Sequence, residues 1–80
     1  MSKNNLPTYA IVELLIRLEK HDASIGDYKN HTISDNGVIV KTTSGSIKFS
    51  QSLIVQQFES PELITDDVLA STASLFRTAN

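Results

Sequence analysis

An α+β domain is expected, with an N-terminal helix, a three-stranded antiparallel β-meander, and one or two C-terminal helices packed on one sheet face. Three patterns lead to it. From Leu6 to Leu18 the chain reads LPTYAIVELLIRL, an apolar run at helical spacing. Between His31 and Ser50, β-branched stretches alternate with two turn signals, Asn36-Gly37 and Ser44-Gly45. Two helix-start signatures follow, Ser60-Pro61-Glu62 and Thr65-Asp66-Asp67.

The first helix is expected from about Leu6 to His21. Pro7 suits its first turn, where a missing N–H costs nothing, and Met1 to Asn5 read as a flexible polar arm. At about 100° per residue, Tyr9, Ala10, Ile11, Val12, Leu14, Leu15, Ile16 and Leu18 cover an arc of about 260°. Glu13, Arg17 and Lys20 hold the narrow remainder, with Glu13 and Arg17 spaced to pair at i, i+4. A helix this apolar needs cover on more than one side. The face bearing Tyr9, Val12 and Ile16 is therefore the expected interface, open to a second copy, to another protein, or to the chain's own Ser52 to Glu59 segment.

The strands follow from their turns. Two-residue turns at Asn36-Gly37 and Ser44-Gly45 place Ile33 opposite Val40, His31 opposite Thr42, Val40 opposite Phe49 and Thr42 opposite Ile47. Both hairpins then agree on one face, carrying Ile33, Val40, Ile47 and Phe49. The other face receives Thr32, Ser34, Ile39, Lys41, Lys48 and Ser50, a polar surface of the kind that meets water. In this register Lys41 and Lys48 stand directly opposite each other. Together with Thr32, Ser34 and Lys29 they form an anion-facing patch or a solvated surface that discourages aggregation.

Residues 52–59 fit a short helix through Ile54, Val55 and Phe58, and the same residues also fit a strand; the helix is preferred. The last helix begins at Ser60 or at Thr65, with Ile64 able to staple to Leu69. It is expected to end near Arg77, turning Ile64, Val68, Leu69, Ala73, Leu75 and Phe76 toward the sheet. Gly26 can supply a positive φ in the loop after the first helix.

Eighty residues, residues 1–80, make one small domain. Domains of this size often need extra support, and the absence of cysteine removes both disulfides and thiolate metal sites, leaving oligomerisation. A net charge of -2 argues against a dedicated polyanion binder. The N-terminal apolar run is interrupted by Glu13 and followed by Arg17, Glu19 and Lys20 with no small-residue cleavage site, so an intracellular, cytoplasmic protein without a membrane segment is expected.

Catalytic constellations are weak. His21 and His31, with Asp22, Asp27 and Asp35 nearby, match no metal-ligand spacing, and the ordinary reading is a helix-terminal ring and a cross-strand polar residue. Asp66 and Asp67 are adjacent, so their side chains diverge by about 100° and act on the helix dipole rather than as a carboxylate pair. No GxSxG elbow or glycine-rich phosphate loop occurs. Double-stranded RNA-binding domains share the order helix, three strands, helix, but carry a lysine cluster at the start of the second helix, where this chain has Glu62, Asp66 and Asp67. No family is therefore assigned, and neither a cofactor nor a metal is expected. The expectation is a small non-enzymatic protein-interaction module, a regulator, inhibitor or adaptor that forms a homodimer or binds another protein through helix 1. Its acidic residues around Glu59, Glu62, Asp66 and Asp67 would steer basic partners. The alternative is a nucleic-acid-binding regulator using the Lys41 and Lys48 face.

Overall fold

The computed structural model describes residues 6–78, so the arm expected over Met1 to Asn5 lies outside the described residues. Helix α1 (Thr8–Glu19) is followed by a 3-10 turn (Ala23–Ile25) and three strands, β1 (Tyr28–Ser34), β2 (Gly37–Thr42) and β3 (Gly45–Phe49). Helix α2 (Gln51–Glu59), a second 3-10 turn (Pro61–Leu63), helix α3 (Asp66–Ala73) and a two-residue strand β4 (Arg77–Thr78) follow within the described residues. The sheet is antiparallel in the order β1-β2-β3-β4. This is the expected α+β arrangement with one strand more than the sequence indicated.

Helix α1 is shorter than its apolar run. Pro7 is its N-cap rather than its first helical residue. At the other end Asp22 takes the chain out of the helix by accepting from the Ser24 N–H at 3.1 Å, which nucleates the 3-10 turn and drives Ile25 into the core. Gly26 then has φ 85°, and a Cβ there would lie 2.5 Å from Thr43 Oγ1, so this position requires glycine for both conformation and space.

Both hairpin registers differ from expectation by two residues. His31 faces Val40, Ile33 faces Val38, Val38 faces Phe49 and Val40 faces Ile47. Each turn begins one residue earlier than its glycine pair suggests. In the first hairpin Asp35 and Asn36 turn without positive φ, and Gly37 carries it just afterward at 145°, close against the Phe49 carbonyl. In the second, the buried Thr42 hydroxyl accepts from the Ser44 and Gly45 N–H groups at 3.1 and 3.0 Å and donates to the Ile25 carbonyl at 2.5 Å. That threonine clamps the turn at Thr43-Ser44. Moving a turn by one residue shifts pairing by two, which preserves the face of every side chain. Ile33, Val40, Ile47 and Phe49 accordingly share the inner face, while Thr32, Ser34, Ile39, Lys41, Lys48 and Ser50 are exposed.

Ser50 caps α2 by accepting from the Leu53 N–H, and Thr65 caps α3 by accepting from Val68, so both expected start signals are used: the first for the 3-10 turn, the second for the helix. Helix α3 ends at Ala73, four residues before Arg77, which enters β4 instead and lies exposed. Val68 and Leu75 are exposed, and Thr72, whose hydroxyl donates to the Val68 carbonyl, takes up a buried place. One core results: Ala10, Ile11, Leu14, Leu15 and Leu18 of α1 join Val38, Val40, Ile47 and Phe49 of the sheet, with Ile54, Ile64, Leu69 and Ala73 from the later helical elements. At about 1.5–3 kcal/mol for each large apolar side chain fully buried, this cluster is the dominant favourable contribution to the fold.

Candidate functional site

Helix α1 is buried along an arc of only about 140°, through Ala10, Ile11, Leu14, Leu15 and Leu18. Its apolar surface extends well beyond that arc. Tyr9 is 56% exposed and Ile16 49%, while Val12 is partly buried. The three residues singled out from sequence therefore share the flank of α1 turned away from the sheet, two of them open to solvent.

Helix α2 lies against α1 and extends this surface. The Phe58 ring, 49% exposed, meets the Tyr9 ring edge to face with centroids 5.7 Å apart. Two helical turns along, Ile16 borders an open depression of about 420 Å³ together with Glu13, Arg17, Gln57 and Pro61. Leu63 in the adjoining 3-10 turn is 61% exposed.

Arg17 builds the floor of this depression, and its role departs from expectation. Its guanidinium donates to Gln57 Oε1 at 2.6 Å and to the carbonyls of Pro61 and Ile64 at 3.1 Å each. It thus ties α1 to α2 and to the turn before α3 rather than pairing with Glu13. The Pro61 carbonyl also accepts from the Ile64 N–H at 3.2 Å, so there the guanidinium is a second donor, and a planar five-donor cation can serve several acceptors at once. Sequence spacing offered Glu13 as the nearest partner; the acceptors lie 40 or more residues away in sequence, where spacing carries no information. Gln57, buried to meet this guanidinium, was likewise invisible to residue patterning.

The two histidines have separate partners. His21 Nε2 lies 3.9 Å from Asp66 Oδ1, joining the end of α1 to the start of α3. His31 Nδ1 lies 2.7 Å from the Tyr28 hydroxyl. Alternation would send residues three apart to opposite faces, but a bulge between Tyr28 and Asn30 adds a residue at Lys29 and brings the two side chains together. Among the described residues no three His, Asp or Glu side chains gather as metal ligands.

On the outer sheet face Lys41 pairs with Ser46, and Lys48 with Ile39. The two lysines are therefore diagonal neighbours, not opposite ones, because of the shifted register. Lys41 instead borders a depression of about 270 Å³ with Lys29, Asn30 and Ser46. Glu19, on the partly buried margin of α1, has its carboxyl pushed above the usual range, first by burial and then by the charge of Asp27. No helix among the described residues is long and apolar enough to cross a membrane. Comparison with protein-family models, curated proteins and solved structures gives no match for this chain, so the site is read from its own geometry.

Proposed function

We propose that this chain is a small non-enzymatic interaction module, a cytoplasmic regulator, inhibitor or adaptor, whose α1 flank docks a second copy of itself. The observation that carries the reading is the half-exposed surface formed by Tyr9 and Ile16 on α1, a helix whose other side is sealed, and continued by Phe58 of α2. Burying the exposed half of three such side chains contributes about 1 kcal/mol each. Two copies together gain several kcal/mol, which must offset an association cost of roughly 4–15 kcal/mol. The expected dimer is consequently weak and concentration-dependent.

Charge supports self-pairing in one geometry. If two α1 helices cross antiparallel about Ile16, Glu13 of one copy comes opposite Lys20 of the other, and the two-fold symmetry repeats the contact. Light scattering from micromolar to millimolar protein tests this. Mass should rise from one chain toward two, Ile16→Glu should abolish the rise, Glu13→Lys should weaken it, and adding Lys20→Glu to Glu13→Lys should restore it. A wild-type mass of one chain at every concentration overturns self-association. The interaction reading as a whole falls if affinity capture also retains the same proteins with wild type and Ile16→Glu.

A further inference from the structure

The four strands contain no acidic residue, although they hold Lys29, Lys41, Lys48 and Arg77, four of the chain's seven lysines and arginines. All nine acids lie on helical elements, turns and loops. The mild net charge of -2 thus conceals an uneven distribution, in which the strands carry four cations and the acids nearest them, Asp27 and Asp35, lie just beyond the two ends of β1. We propose that the outer sheet face binds the phosphate backbone of duplex DNA without sequence preference.

Pairing across the sheet builds the face. Asn30, Lys41, Ser46 and Arg77 stand in one cross-strand row over β1, β2, β3 and β4, with Thr32, Ile39 and Lys48 in the next. The β1 bulge sets Lys29 beside the first row, where it lines the same depression as Asn30, Lys41 and Ser46. Strand spacing places Lys41 and Arg77 about 10 Å apart at their backbones. Their flexible side chains can reach phosphates on either side of a B-form groove, roughly 6 Å wide in the minor and 12 Å in the major groove. Between the cations stand amide and hydroxyl groups, which donate hydrogen bonds to phosphate oxygens.

The choice of duplex follows from what the face presents. Single strands are held by exposed aromatic rings on which bases stack, whereas the sheet's two aromatics, Tyr28 and Phe49, belong to or pack against the core. Membrane surfaces require apolar anchors, and Ile39 is the one large apolar side chain exposed among the described strand residues. The acids on the helical side do not cancel the attraction, because a helical layer is about 10 Å thick and charges are screened over about 8 Å at physiological salt.

Fluorescence anisotropy with a labelled 20-base-pair DNA duplex, titrated at 50 to 200 mM salt, tests the proposal directly. Four phosphate contacts predict a slope of log affinity against log salt near -3.6, a loss of roughly 100-fold over that range. Lys41→Gln and Arg77→Gln, both on exposed side chains, should each reduce the slope by about one. No salt-dependent binding at 50 mM, a slope unaffected by the two sheet substitutions, or tighter binding to single strands, RNA duplex or anionic vesicles would each overturn it. Ile16→Glu separates this face from the α1 surface: it should abolish dimerisation while a single chain still binds DNA.

Discussion

The helical side and the outer sheet face expose different chemistry for different structural reasons. On the helical side, apolar residues exceed what one sheet can cover, so Tyr9, Ile16 and Phe58 stay half exposed among acids. On the sheet, alternation, interrupted by the bulge at Lys29, sends every large apolar side chain of the described strands except Ile39 inward and leaves cations and hydroxyls outside. Helical geometry spreads apolar residues around a circumference, whereas a strand sorts them into two planes. An average over the chain, such as its net charge, therefore conceals both surfaces.

The largest effect should come from crossing the sheet. Phe49 is 1% exposed in the centre of the inner face, and Phe49→Ala should cost about 3–5 kcal/mol in urea unfolding, from lost transfer energy plus the cavity left behind. Ile39→Ala, on the outer face, should cost less than about 1 kcal/mol. Equal losses would mean that the outer face is covered and the two-plane description is wrong.

What could be read in advance follows the same division. Facial assignment of Ile33, Val40, Ile47 and Phe49 was legible because alternation is local and survives a two-residue slip. The slip itself was not, since the turns are positioned by the Thr42 hydroxyl and by Gly37 following its turn rather than sitting within it. Arg77 sits where a helix-terminal cation belongs, yet the chain leaves α3 at Ala73 and pairs Arg77 with Ser46 of β3, a contact 31 residues distant. Tyr9, Val12 and Ile16 could be singled out because periodicity marks a face. Arg17 could not be given its role, because its acceptors come from another part of the chain.

An intermediate effect is expected where α1 is fastened rather than free. Arg17 supplies three hydrogen bonds that hold α2 and the turn before α3, so Arg17→Met should destabilise by about 1–3 kcal/mol by removing the guanidinium from the buried Gln57 amide oxygen and the Ile64 carbonyl, while the Pro61 carbonyl keeps its bond from the Ile64 N–H. Arg17→Lys should recover less than half, because a point charge on a flexible stem cannot reproduce the fork. Lys20→Met, a turn further along and exposed, should be near neutral. Denaturant midpoints for the three variants decide the matter, and full rescue by lysine would show that charge alone, without the bidentate geometry, fixes the turn.

The smallest effect belongs to Glu19, at the margin between the two surfaces. Burial, and then repulsion from Asp27, raise its folded-state pKa above the unfolded value, so the folded protein holds the proton more tightly. Its contribution is accordingly favourable at pH below the unfolded pKa and is lost as pH rises through the folded one; at pH 7 the ionised carboxylate opposes folding. Glu19→Gln should thus raise the melting temperature slightly at pH 7, and the gain should shrink at pH 4 as the native carboxyl takes up its proton. Asp27→Asn should reproduce part of the gain, because it removes the second cause and leaves the first. A benefit from Glu19→Gln that is the same at both pH values would place its origin in packing, with no role for the charge.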